Sequence, residues 1–173
     1  VVPALPVRQW VISFPKRLRY FLPRDAPVRS AALHVVLRVI EKTLREKSPG
    51  AGPAARIGAV IFIHQFGAFL NEHTHFHICV IDAATVADCQ ATIRRRVLRL
   101  FVRRGLLEAD DAKLMGEWAH DGGFSLDASV RIEGWDRQGL ERLLRYCARP
   151  PFALERIEVR GVEPIIYHLP KPT

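Results

Sequence analysis

A chain of 173 residues, 49% hydrophobic and 25% charged, carries enough apolar material for one sizeable core and is not a mostly disordered polypeptide. Its apolar runs fall far short of the roughly 20 residues needed to cross a bilayer, which excludes a membrane-spanning helix. Lysine plus arginine outnumber aspartate plus glutamate by 26 to 18, and the net charge of +8 points to an anionic partner, nucleic acid ahead of an acidic membrane surface.

The opening VVPALPVRQW has no basic segment followed by an apolar one, so no secretion signal is expected and the cytoplasm is the default compartment. No repeat or long linker divides the chain, so one domain spanning residues 1–173 is expected. Val7 to Phe14 reads as a strand ended by Pro15. Asp25 before Ala26-Pro27 marks a helix start, and apolar residues from Val28 to Ile40 keep helical spacing to about Lys47. Beyond the Pro/Gly-rich Ser48–Arg56 loop, Ile57 to Gln65 and Thr74 to Asp82 read as two strands paired in a hairpin.

Val86 to Arg104 reads as a helix stopped by Gly105, and Ala109 to Trp118 as a shorter one. From Phe124 to Glu133 apolar and polar residues alternate, the pattern of one half-buried antiparallel strand. Asp136 caps a helix to about Ala148, where Arg149-Pro150-Pro151 breaks it, and Ile157–Val159 and Glu163–His168 read as short edge strands. The expected class is α+β, an antiparallel sheet flanked by helices. Cys79, Cys89 and Cys147 are odd in number and lack CxxC spacing, so they are expected to pack as small apolar residues.

His73, His75 and His77 alternate into the second hairpin strand and so share a face. Side chains two apart on a strand start roughly 6.6 Å apart, close enough for two imidazoles to lean onto one ion. Packing or hydrogen bonding at a sheet edge would also explain them. The His75/His77 pair favours a metal site, and its spacing does not choose between zinc, manganese and phosphate-assisted magnesium.

There are three tyrosines. Tyr20, in the basic apolar segment KRLRYFLP, and Tyr167, in the apolar IIYHL, read as packing residues. Tyr146 borders the apolar stripe Leu140, Leu143, Leu144 and Cys147, with Arg142 four residues before it and Arg149 three after. Two guanidiniums bind phosphate and favour phenolate over phenol, which a tyrosine attacking a phosphodiester requires. An amphipathic border tyrosine with solvated arginines would show the same pattern. Along Ala91–Arg104, Arg95, Arg99 and Arg103 belong to a basic face that either contacts phosphates or is simply solvated. Trp10, Trp118 and Trp135 are candidates for base stacking or for the core.

HFHICV, His75 to Val80, resembles the HUH motif of single-strand DNA endonucleases. With VRQWVISFP (Val7 to Pro15), NEHTHFHICVID (Asn71 to Asp82), VRRGLL (Val102 to Leu107) and RYCARPPFALER (Arg145 to Arg156), it resembles the transposases of rolling-circle insertion elements, including common-region elements. The likeness runs over most of the chain. It implies an HUH-endonuclease-like fold and a divalent ion, magnesium or manganese with zinc as the alternative, held by His75 and His77. Tyr146 would be the nucleophile, forming a 5′-phosphotyrosyl intermediate, and His73, Gln65 and Glu141 are the candidates for a third ligand. The implied partner is single-stranded DNA or a hairpin at the end of a mobile element, met in the bacterial cytoplasm at the nucleoid; Arg142, Arg149, Arg95, Arg99 and Arg103, read above from their helix positions and the basic charge, are the candidate phosphate contacts.

Three departures from the family's pattern bear on activity. The three cysteines cannot supply the cysteine-rich zinc segment that the family usually carries ahead of this region, and the chain runs directly from Asp82 to Ala83-Ala84-Thr85-Val86, as if by internal deletion. Pro150 stands four residues after Tyr146, where a second tyrosine would fall, which matches the single-tyrosine branch. The expectation is therefore a truncated rolling-circle transposase, against a DNA-binding remnant without turnover and an unrelated metal-binding protein.

Overall fold

A computed structural model of the chain describes residues 5–48, 52, 56–67, 70–81, 89–150, 157–159 and 165–168. Strand β1, Val7–Ser13, lies at the heart of an antiparallel sheet. After it come two short helices, α1 (Lys16–Arg19) and α2 (Phe21–Arg24), and the long α3 (Ala26–Glu46). The Asp25 carboxylate accepts from Val28 N at 2.9 Å and so caps α3 as expected. Strands β2 (Ala59–Phe66) and β3 (Glu72–Ile81) form the antiparallel hairpin, and β3 also pairs with β1.

Helix α4 runs over Cys89–Arg103, and Gly105 beyond it takes a φ of +67, the left-handed conformation that a side chain would resist. The start expected at Val86 and the junction after Asp82 lie outside the described residues. Next come α5 (Ala109–Glu117), β4 (Ser125–Asp127), β5 (Arg131–Ile132) and α6 (Arg137–Cys147). The main sheet has the order β2-β3-β1-β4, with β5 also on β1.

Strand periodicity sorts the side chains onto two faces. Trp10 and Ile12 of β1, Phe14 just after it, and Phe76, Ile78 and Val80 of β3 are buried in one core with α3 and α4, including Val36, Ile40, Val97 and Phe101. A large apolar side chain withdrawn from water in this way contributes roughly 1.5–3 kcal/mol, so this face holds the fold together. The opposite face presents Gln9, Val11, Ser13, His73, His75 and His77. Helix α6 covers one end of it, packing Leu140, Leu143 and Cys147 against Val7 and Cys79.

Two expectations are corrected. Phe124–Glu133 is not one strand: β4 pairs with β1 in the register Ile12↔Leu126, whereas β5 pairs as Val7↔Ile132, one residue out of step. The Asp127 carboxylate accepts from Ser129 N at 2.9 Å, a local turn that competes with the ladder and lets the extra residue in. A slip of one residue reverses the faces, so Leu126 joins the main core while Ile132 packs on the α6 side. The last two strands, β6 (Ile157–Val159) and β7 (Ile165–Tyr167), form a two-stranded sheet of their own and are not edges of the main one.

Candidate metal and nucleophile site

His75 and His77 sit two apart on β3, and the hairpin register sets His64 of β2 directly opposite His75. The ring centroids of His64 lie 5.0 Å from His75 and 4.4 Å from His77. One nitrogen from each of the three rings falls within 4.8 Å of the others, close enough to share one metal ion. Each ring is oriented through its other nitrogen. His75 Nδ1 meets the His73 carbonyl at 2.6 Å, His64 Nε2 meets the Cys147 carbonyl at 2.7 Å, and His77 Nδ1 meets the Gln9 side-chain amide at 2.8 Å. These contacts leave His75 Nε2, His77 Nε2 and His64 Nδ1 as the nitrogens open to an ion. A carbonyl or amide behind a ligating imidazole is the outer shell that fixes tautomer and ring orientation at metal centres.

The electrostatics favour a neutral ring at His75. Burial, with lesser repulsion from His77, His64 and His73, outweighs the raising bond to the His73 carbonyl and brings the His75 pKa down to about 4. His73 is lowered in the same sense, by burial and then by Arg19. At neutral pH His75 is therefore an unprotonated imidazole, the form a metal binds. Beneath the site Cys147, 1% exposed, accepts from Gln9 Nε2 at 3.1 Å. Its neighbour Cys79 is pushed up by the bond to Cys147 and by burial.

Tyr146 enters from α6. The Asp136 carboxylate caps that helix by accepting from Gly139 N at 2.7 Å, and the buried Leu140, Leu143 and Cys147 seat it on the sheet. Being one residue before Cys147, Tyr146 falls at the edge of the buried stripe and stays 55% exposed, with its ring centroid 6.1 Å from that of His77. Tyr146, Arg149, Pro150 and the histidines line one open cavity of about 1100 Å³, together with Gln9, Ser13 and Asp127. That volume admits a nucleotide-sized ligand.

The remaining predicted residues divide. His73 lines the cavity with its ring 5.2 Å from His75, one ring outside the triad. Gln65 lines the rim. Glu141 is on the outer side of α6, paired with Arg145 at 2.6 Å and away from the histidines. The third nitrogen near His75 and His77 belongs instead to His64, which was not among the candidates. Arg149 reaches the cavity, and Arg142 is exposed outside it. Arg95, Arg99 and Arg103 are exposed on α4, across the sheet from the histidines. Trp10 is wholly buried and unavailable for base stacking, whereas Trp118 and Trp135 are 49% and 82% exposed. Tyr20, 59% exposed, lies outside the cavity under the Arg24 guanidinium, and the Tyr167 side chain lies outside the described residues.

Among the described residues no helix is long and apolar enough to cross a membrane. Residues 80–172, more than half of the chain, match the family model described as "Putative transposase". The matched stretch contains Tyr146 and Arg149 and begins just after His77. No curated protein and no solved structure matches the chain.

Proposed function

Since the chain belongs to this transposase family, we propose that it cleaves and rejoins single-stranded DNA at the end of a mobile element, by tyrosine transesterification in the manner of HUH endonucleases. The observation that carries this reading is the placement of Tyr146 on the same cavity as His64, His75 and His77. A tyrosine on a helix and a cluster of imidazoles on two paired strands converge on a space open to a DNA strand.

The donor set suits a divalent cation. Three imidazoles are ligands for zinc and other first-row ions, and magnesium or manganese would complete its shell with phosphate and water oxygens. Bound at His64, His75 and His77, such an ion would supply the positive charge that polarises a scissile phosphate. The rest of the chemistry falls to the protein. Tyr146 offers the phenolic oxygen that bonds to phosphorus as the bond to the 3′ oxygen breaks, giving a 5′-phosphotyrosyl enzyme and a free 3′-hydroxyl. Arg149, on the same cavity, offers a guanidinium to hold the phosphate of the bound strand. The covalent bond keeps the phosphodiester's energy for rejoining.

The arginines of α4 add phosphate contacts remote from the reaction and give affinity without sequence reading. Work of this kind belongs in the cytoplasm, at the nucleoid. Incubating the chain with single-stranded oligonucleotides and manganese, then resolving the products on a denaturing gel, tests the reading. A protein–DNA adduct that chelation with EDTA prevents is expected. Retention of DNA with no adduct and no cut strand would make the chain a binding remnant.

A further inference from the structure

Of the three imidazoles, His64 and His75 are oriented by backbone carbonyls, which can only accept, whereas His77 is oriented by a side chain able to do either. Gln9 is 4% exposed, on the central strand β1, with its side-chain nitrogen 2.8 Å from His77 Nδ1 and 3.1 Å from Cys147 Sγ. An amide nitrogen carries two hydrogens and no free lone pair, so in this arrangement it donates one to each. His77 Nδ1 is then an acceptor, and the proton of the neutral ring must sit on Nε2, the atom that would face an ion.

Turning the amide end for end changes nothing in volume and reverses the chemistry. The Gln9 carbonyl oxygen then accepts Nδ1–H from His77 and S–H from Cys147, and the lone pair of His77 Nε2 is free. In either arrangement His77 Nδ1 and Cys147 Sγ keep a partner on Gln9, so the ring and the thiol lose no hydrogen bond in the turn and a ligand that needs one tautomer can select between them.

The geometry points to Gln9 as the positioning residue that selects the His77 tautomer: its amide nitrogen toward the ring puts the proton on Nε2, and its carbonyl toward the ring leaves Nε2 free for an ion. This assignment rests on the reading of the histidines as a metal site. It gives Gln9, in the Val7–Phe14 strand segment, a task beyond packing: one turn of its amide decides whether the lone pair of His77 Nε2 is free for an ion. The proton that leaves Nε2 passes to solvent, and Nδ1 is protonated in its place, so the ring remains neutral throughout.

Two variants and two readouts test it on the full chain. In Gln9→Leu the acceptor is gone, and the dissociation constant for manganese or zinc, read by calorimetry, should rise on the order of 10- to 100-fold, as for lost outer-shell partners elsewhere. In Gln9→Glu the carboxylate can only accept, so affinity should match or exceed wild type. The second readout is the nitrogen-15 NMR spectrum of the His77 ring. It should show the proton on Nε2 in the metal-free wild type, on Nδ1 after zinc is added, and on Nδ1 without metal in Gln9→Glu. Thermal melts of each variant separate these effects from misfolding. Unchanged affinity in Gln9→Leu, or a Gln9→Glu chain binding as weakly as Gln9→Leu, would overturn the assignment. Were the wild type to bind no ion, the metal reading would fall, while the metal-free ring spectra would still decide whether Gln9 sets the tautomer.

Discussion

The Nε2 atom of His64 lies 2.7 Å from the carbonyl oxygen of Cys147, the last residue of α6. The final carbonyls of a helix have no partner within it, and one of them is here taken up by an imidazole from β2. One hydrogen bond therefore does two things: it turns His64 Nδ1 toward His75 and His77, and it ties strand β2 to the helix end that bears Tyr146.

Replacing His64 with alanine should remove the third nitrogen and the helix tether together. Manganese or zinc affinity should fall at least tenfold by calorimetry, and His73→Ala, which changes a ring outside the triad, should leave it within about threefold of wild type. A larger loss in His73→Ala than in His64→Ala would reverse the assignment of the third ligand.

Metal should also stabilise the fold, because the triad is assembled from two strands and binding is linked to folding. With free ion at 100 times its dissociation constant the gain is about 2.7 kcal/mol. For a chain of this size each kcal/mol is worth about 2–4 °C, so Tm should rise by several degrees and fall back with EDTA. The paired variant His75→Ala/His77→Ala should melt at the same temperature with and without the ion.

The two arginine groups should separate in their effects. Arg149 lines the cavity and α4 does not, so Arg149→Ala should depress formation of a covalent DNA adduct, whereas the triple change Arg95→Gln/Arg99→Gln/Arg103→Gln should chiefly alter affinity. If all three α4 side chains contact phosphates, the slope of log affinity against log salt should flatten by about 2, at about 0.7 per contact for a single strand. Fluorescence anisotropy at a series of salt concentrations measures it. Loss of adduct at saturating DNA in the triple variant would bring α4 into the reaction.

Removing the α6 cap by Asp136→Ala should cost about 1 kcal/mol, visible as a Tm lowered by about 2–4 °C. Gly139→Ala should not recover the usual helix-propensity gain, because a Cβ there would collide with the Asp136 carboxylate that caps the helix. Chemical denaturation of both variants checks the pair.

Much of this arrangement is legible in the sequence because it is local. The strand over Val7–Ser13, the Asp25 and Asp136 caps, the hairpin and the helical stripe of α6 all follow from spacing within a few residues. The site was legible as far as one element reaches: His75 and His77 share a strand face, and Tyr146 borders a helical stripe. His64 was not, since a histidine in IGAVIFIHQ becomes a partner of His75 only once the register of β2 on β3 is fixed. Gln9 was hidden for the same reason, its meaning depending on two contacts 68 and 138 residues away. The break between β4 and β5 was concealed by an alternation that continues through it, overridden by one Asp127–Ser129 turn.

The central claim, that Tyr146 is the nucleophile beside the histidine cluster, is tested most directly by mass spectrometry of the trapped DNA adduct. After protease and nuclease digestion, the account predicts a nucleotide linked through phosphate to the peptide holding Tyr146, and no adduct in Tyr146→Phe. That variant should retain wild-type metal affinity and a Tm within about 2 °C, since an exposed hydroxyl contributes at most about 0.5 kcal/mol. A phosphate linkage mapped to Tyr20 or Tyr167, or an adduct that persists in Tyr146→Phe, would contradict it.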